Sequence, residues 1–374
     1  MRFGLIICLL IQQFISAAQQ KVSFIINTLP AYHKVGDSIF IAGSFNNWNP
    51  HDSRFVLKKT GGKHGITIEL PPGMFEYKFT RGSWDQVETL EGGWPGANRI
   101  VRIPGEDTVS VDIPHWSDHF PKQAKKSTAS SNVHIVDSVF YMPQLKRHRR
   151  IWIYLPSDYT TSRKKYPVLY MHDGQNVFDE ATSSFGEWGV DEALDTLGPQ
   201  HRQMIVVGID NGGDKRLNEY APYDMEKYGK GEGALYVEFI VKTLKPFIDK
   251  HYRTKKCKDH TSIAGSSMGG LISFYAILNY PKVFGAAGVF SPAFWINPQL
   301  KQIDARQAKK VKGKIYFYAG QQEGDSMVPD MLHVFEQMQQ LSKAKMETVI
   351  RGEGRHDEPT WRAEFVEFYR WLIE

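Results

Sequence analysis

Cysteine is almost missing from this chain: there are two in 374 residues, Cys8 and Cys257. A small disulfide-stapled scaffold is therefore excluded, and no Cys/His cluster has the spacing of a zinc site. Neither a metal nor a cofactor is expected. Charge of one sign is also scarce, with 46 basic against 41 acidic residues and a net +5 spread without a long basic block. Nothing tracks a phosphate backbone, so nucleic acid is not an expected partner. Long hydrophobic runs are limited to the first residues, where Leu5 to Ile15 includes Gln12 and Gln13 and falls short of the ~20 apolar residues that a membrane span needs.

That leading segment has a coherent reading of its own. Met1 to Ala18 carries one arginine, then the apolar run, then the small residues Ser16, Ala17 and Ala18, the layout of a secretory signal peptide. Ile7 precedes Cys8 where lipidation wants a small residue. A secreted or periplasmic protein is expected, with Cys257 its single thiol and no stable membrane span in the mature chain.

What is present is globular and long enough for two folded units. Between Lys21 and Ile113, short alternating stretches (VSFIINTL, SIFIAG, GITIEL, FEYKFT, RIVRI, TVSVDI) are punctuated by Gly, Pro, Asn and Asp, which predicts an immunoglobulin-like β-sandwich over residues 19–115. The polar run PKQAKKSTASSN lacks apolar periodicity and reads as a solvated linker, placed over 116–132. From 133 to 374 strand-like and helix-like segments alternate: VLYM, MIVVGI, TSIAG, AAGVFS, KIYFYAG and METVI, each followed by a helical pattern. Alternation of this kind predicts a mostly parallel sheet flanked by helices. An antiparallel hairpin, VHIVDSVFYM with RRIWIYLP, should lie at its edge.

The chemistry concentrates in this second half. TSIAG runs into Gly265-Ser266-Ser267-Met268-Gly269 and then into a helix, the G-x-S-x-G elbow in its strand-turn-helix setting. A sharp turn lifts the central hydroxyl clear while the flanking glycines let strand and helix approach, so Ser267 is the candidate nucleophile. The helix start aims the Met268 amide at a developing oxyanion. A serine needs an imidazole to remove its proton and a carboxylate to orient the imidazole. In α/β-hydrolases these follow in the order Ser, acid, His. His356 lies in the polar loop GEGRHDEPTW after the last strand. Glu323 and Asp325 compete for the acid after KIYFYAG; Glu323 is nearer the strand end, and Asp357 is better placed to cap the following helix. The second oxyanion donor should come from His172-Asp173-Gly174-Gln175-Asn176, with the Gln175 amide as candidate and Gly174 allowing close backbone approach. Asp173, Gly174, Trp188, Arg216, Glu219 and Tyr220 are candidates to line the substrate pocket.

Through YPVLYMHDGQNVFD, GVDEAL, VVGIDNGGDKRLNEYAPY, HYRTKKCKDHTSIAGSSMGG and YAGQQEGD, the catalytic half resembles the "Putative esterase" family of α/β-hydrolases, which includes feruloyl and acetyl xylan esterases and enterochelin-type esterases. The resemblance implies an α/β-hydrolase fold, serine esterase activity and an acid at the G-x-x-[DE] position, here Glu323 in place of the commoner Asp. Through IFIAGSFNNWNP, PPGMFEYKFTRGSW and Asn98-Arg99, the first half resembles glycogen- and starch-binding modules. That resemblance implies glucan held by Trp48, Lys78, Trp84 and Asn98, with Trp94 a possible substitute for Trp84.

Together these readings give a secreted serine esterase that removes acetyl or feruloyl groups from carbohydrate, with the first domain on a glucan or other polysaccharide. A siderophore trilactone esterase is the first alternative. A non-catalytic binding protein on a hydrolase scaffold is the second.

Overall fold

A computed structural model of the chain describes residues 19–46, 48–94, 96–105, 107–121, 125–198 and 201–374. The expected signal peptide, residues 1–18, lies outside the described residues. The chain divides into two units, the first ending at residue 123 and the second beginning at 124.

The first unit contains nine strands: β1 Gln20–Thr28, β2 Phe40–Gly43, β3 Lys58–Thr60, β4 Lys63–Leu70, β5 Gly73–Thr80, β6 Glu88–Thr89, β7 Arg99–Ile103, β8 Thr108–Asp112 and β9 His115–Trp116. They form sheets in the orders β3-β4-β1-β8, β2-β5-β7 and β6-β9. The period-two alternation seen in the sequence is realised directly: Val22, Phe24 and Ile26 are buried while their neighbours on β1 are not. They meet Ile41, Tyr77, Phe79 and Trp116 in one core.

The second unit is built on an eight-stranded sheet. Its strands are β10 Val133–Met142, β11 Arg147–Tyr154, β12 Val168–His172, β13 Ile205–Ile209, β14 Thr261–Ser266, β15 Ala286–Phe290, β16 Lys314–Gly320 and β17 Lys345–Arg351. Their order is β10-β11-β13-β12-β14-β15-β16-β17. The expected hairpin of β10 and β11 forms the antiparallel edge, and every pair from β13 to β17 is parallel. The helices are α1 Val190–Leu197, α2 Arg216–Tyr220, α3 Gly233–Phe239, α4 Lys245–His251, α5 Met268–Asn279, α6 Ala305–Ala308, α7 Met327–Leu341 and α8 Glu358–Ile373. Central strands such as β12 and β13 are buried along their whole length, with apolar clusters on both faces of the sheet. Among the described residues no helix is long and apolar enough to cross a membrane.

The segment expected to be a solvated linker, 116–132, is mostly exposed among its described residues, though it is hydrogen-bonded towards both ends. Trp116 is fully buried and donates from Nε1 to His33 Nδ1 at 3.2 Å, so the sandwich extends past residue 115. At the other end polar residues donate to carboxylates of the second unit. Ser127 Oγ donates to Asp179 at 3.0 Å, Thr128 Oγ1 to Glu187 at 2.9 Å, the Ser130 amide to Asp191 at 2.7 Å and Asn132 Nδ2 to Asp195 at 2.7 Å. Composition alone does not separate a hydrated polar run from one whose donors are taken by a neighbouring helix.

Candidate active site

Strands β12, β14, β16 and β17 deliver four loops to the carboxyl edge of the sheet. β14 ends in Ser266, and Ser267 follows at φ 58°, ψ −119° before α5 begins. A non-glycine residue there is strained, by about 1–3 kcal/mol, and persists only where its surroundings over-determine it. Those surroundings are explicit: the Ser267 amide donates to Phe290 O at 2.9 Å, and its carbonyl accepts from Leu271 N at 3.0 Å and Ala293 N at 3.1 Å. The flanking glycines let strand and helix meet. A Cβ on Gly265 would lie 3.1 Å from Gly269 Cα.

β16 ends at Gly320, and Glu323 follows in the turn. Its side chain is fully buried and both of its oxygens are hydrogen-bonded. Oε1 accepts from the Gly320 amide at 2.6 Å and from Ser291 Oγ at 2.8 Å. Oε2 accepts from His356 Nδ1 at 2.7 Å. Because a carboxylate only accepts, the proton sits on Nδ1 and Nε2 is left as the acceptor. The loop after β17 carries His356, and Asp357 caps α8 by accepting from Thr360 N at 3.1 Å. Asp325 is exposed and makes no contact with His356. The choice between Glu323 and Asp325 thus falls, in geometry, on the residue nearer the strand.

β12 neighbours β14 and ends in His172. Asp173 turns the chain at φ 56°, and a short 3-10 turn, Gly174–Asn176, follows. A Cβ on Gly174 would come within 2.8 Å of the Gly208 and Ile209 backbone, so only glycine lets this loop sit so close to β13. Neither the Met268 nor the Gln175 amide donates to a protein acceptor among the described residues.

Several residues expected to line the pocket have other work. Trp188 is buried, edge-on to Phe290 at 5.0 Å and stacked on Trp361 at 5.9 Å. Glu219 is fully buried and held by Arg147 at 2.8 Å and Arg149 at 2.7 Å. Tyr220 is likewise buried, its hydroxyl accepting from the Asp173 amide at 3.2 Å. Arg216 clamps the buried Asp173 carboxylate through Nε at 2.6 Å and Nη2 at 2.9 Å, and Asn211 Nδ2 adds a third bond at 2.7 Å. Arg216, Tyr220 and the Trp188 amide brace the loop, and the Arg216 charge is spent internally. The Arg216 guanidinium beside Asp173 holds that carboxyl below its ordinary value despite burial. Burial pushes His172 down to about 3, so this imidazole is neutral and simply bonds to the Tyr236 hydroxyl at 2.9 Å.

Other contributors escaped the sequence reading. Ser291, at φ 44° after β15, links Glu323 to Trp361, whose Nε1 donates to Ser291 Oγ at 2.9 Å. The Trp361 ring also meets His356 edge-on at 5.0 Å. The i, i+5 spacing of His356 and Trp361 across a helix cap was the available signal. Trp295 is 46% exposed with its ring 6.4 Å from His356.

In the first unit, Trp48 and Trp84 come together with ring centres 6.2 Å apart, and Trp84 is 44% exposed. Lys78 and Asn98 are partly engaged: Lys78 Nζ donates to Gly96 O at 2.6 Å, and Asn98 Nδ2 to Glu76 at 2.8 Å. Trp94 remains 67% exposed.

The sheet order and the strained strand-to-helix elbow define an α/β-hydrolase. The chain belongs to the "Putative esterase" family, which matches residues 143–372, and residues 26–90 match the "Glycogen recognition site of AMP-activated protein kinase". It is therefore an esterase with an N-terminal carbohydrate-binding module. An iron(III) enterobactin esterase of Dickeya dadantii is 27% identical over 249 residues, 62% of this chain and 53% of that one. An endo-1,4-beta-xylanase/feruloyl esterase of Xylanibacter ruminicola is 25% identical over 217 residues, 56% of this chain and 27% of that one. An alpha-amylase of Niallia circulans is 35% identical over 94 residues, 24% of this chain and 7% of that one. Among solved structures, a ferulic acid esterase superposes with a TM-score of 0.52 at 19% identity, over 65% of this chain and 98% of that one. The enterobactin esterase of Shigella flexneri, solved in the presence of enterobactin, gives 0.54 at 18% identity, over 96% of this chain and 94% of that one.

Proposed function

We propose that the chain is a secreted serine esterase that cleaves acyl groups, acetyl or feruloyl, from carbohydrate, with the first unit resting on a glucan. The observation that carries the catalytic part is the 2.7 Å bond from His356 Nδ1 to Glu323, made two strands away from a serine held at φ 58°. In this reading Ser267 Oγ attacks the ester carbonyl while His356 Nε2 takes its proton, and Glu323 stabilises the resulting imidazolium. The Met268 and Gln175 amides donate to the oxyanion. His356 returns the proton to the leaving alkoxide, and water then cleaves the acyl-enzyme by the same steps in reverse.

The carbohydrate part draws on the paired Trp48 and Trp84 rings, whose faces suit the C–H surface of a sugar, and on the amylase relative. Export draws on Met1 to Ala18. The siderophore reading is favoured by the enterobactin esterase relative. Against it, the cation that would meet an anionic catecholate, Arg216, is already neutralised by Asp173.

Hydrolysis of p-nitrophenyl acetate and methyl ferulate, compared between the wild type and Ser267→Ala, tests the catalytic core; turnover unchanged by the substitution refutes it. Feruloylated or acetylated xylan oligomers against enterobactin then separate the two substrate readings. Faster turnover of enterobactin overturns the carbohydrate one.

A further inference from the structure

Glu358 connects the two halves of the candidate site. It is the first residue of α8, two positions after His356, and its carboxylate Oε1 accepts from Asn176 Nδ2 at 3.2 Å. Asn176 directly follows Gln175, the candidate oxyanion donor. One bond between side chains 182 positions apart thus joins the loop that presents an amide to the loop that presents an imidazole.

Asn176 has no slack. Its amide donates to Asp173 O at 2.8 Å, its carbonyl accepts from Trp188 N at 2.8 Å, and its Oδ1 accepts from Ser184 N at 3.3 Å. The Nδ2 bond to Glu358 is the remaining anchor. Both partners are buried, Asn176 at 7% exposure and Glu358 at 8%, so water does not readily replace either. Gly186 closes the wall behind: at φ +106°, a Cβ there would touch Glu358 Cβ at 3.5 Å. The charges felt by Glu358 are Asp173 and Arg216 from the oxyanion-loop side and Asp357 from its own helix start; with burial they leave its carboxyl at about 7. No part of Glu358 is assigned to proton transfer in the mechanism above, and neither residue belongs to the nucleophile, base, acid or oxyanion set.

We infer that Glu358 is a positioning residue that acts through Asn176, holding the Gln175 amide in register with His356. The inference rests on the serine-esterase reading. An oxyanion donor displaced by about 1 Å costs on the order of 100-fold in rate. The bond joins two protein side chains, so in this inference its loss falls on the rate of acyl transfer and spares ground-state binding.

The experiment uses the full chain, with p-nitrophenyl acetate as substrate and phenylboronic acid, which forms a tetrahedral adduct on the serine, as the oxyanion probe. Variants are Glu358→Ala, Asn176→Ala, the pair N176A/E358A, and the swap N176D, E358Q and N176D/E358Q. The expected result is a roughly 10- to 100-fold fall in kcat for Glu358→Ala and for Asn176→Ala, with KM within about threefold, boronate affinity falling in parallel, and the double variant no worse than the poorer single. N176D places two carboxyls face to face and loses activity; adding E358Q restores a donor opposite an acceptor and recovers most of kcat. Losses that multiply in the double variant, a failed recovery in N176D/E358Q, or a change confined to KM or to the melting temperature would each overturn the inference. If an alanine variant does not fold, the swap decides alone. Wild-type protein whose ester turnover ignores Ser267→Ala refutes the underlying reading instead, a distinct outcome.

Discussion

Ser267 combines the reactive hydroxyl with a backbone that no alanine-like residue prefers, and the two properties are separable by substitution. Glycine occupies φ 58° without steric cost, so Ser267→Gly should relieve strain while removing the hydroxyl. We expect stability to rise by about 1 kcal/mol in urea titration and ester turnover to vanish; a lower midpoint would mean that the turn is not strained as described. Glu323 offers the complementary case. Glu323→Gln preserves volume and keeps an oxygen for the Gly320 amide and Ser291, but it turns an NH2 towards His356 Nδ1 and no longer stabilises a charged His356. A fall in kcat of about 10³ is expected, with KM little changed, from steady-state kinetics. The strained elbow at Ser267 and the pairing of His356 with Glu323 were legible because each position is announced by local grammar: an elbow, a strand end, a polar loop before a helix. Ser291, Asn176 and Glu358 were not. Their roles exist only through partners 32, 182 and 182 positions away, and no short window of sequence records such a pairing. Arg216, Glu219 and Tyr220 were read as pocket residues from loop position alone, which does not reveal that their polar groups are consumed by Asp173, Arg147 and Arg149.

At the scale of elements, periodicity carried the reading well. Alternation of two in the first unit and of strand with helix in the second translated into the sheets observed, since side-chain direction repeats every two residues in a strand and every 3.6 in a helix. The exposed run before β10 also donates to carboxylates on and before α1, a pairing that composition does not record. Asp191 is the most telling of these: fully buried, it accepts from the Ser130 amide through one oxygen while the other has no partner, and burial pushes its carboxyl up to about 7. Its folded value lies above the unfolded one. The stabilisation it contributes is therefore fully present below the ordinary aspartate range and is lost as pH rises through 7. Asp191→Asn retains an acceptor for Ser130 and removes the titration. We expect the variant's melting temperature relative to the wild type to rise steadily from about pH 4 to pH 7 and to exceed it near pH 8. A wild type whose melting temperature is no lower at pH 8 than at pH 5, relative to the variant, would contradict this assignment.

For the molecule as a whole, the two units share one chain. A sugar-binding surface on one unit raises the concentration of polymer-borne ester near the other without altering the chemistry of bond cleavage. The consequence is a substrate-dependent phenotype. Trp84 is 44% exposed and sits 6.2 Å from Trp48, so Trp84→Ala removes stacking area at little structural cost. Base-free stacking of this kind is weak, about 0.5–1.5 kcal/mol beyond area burial, which corresponds to only a few-fold in affinity for one ring. Removing both rings in W48A/W84A should therefore lower kcat/KM on an acylated polysaccharide by about tenfold and leave p-nitrophenyl acetate untouched. Trp48 itself holds φ 57°, so alanine there retains the strain and a control of folding by circular dichroism belongs with the assay. Equal losses on polymer and small ester would place the defect in folding, whereas equal rates on both would mean that these rings do not bring polymer to the site.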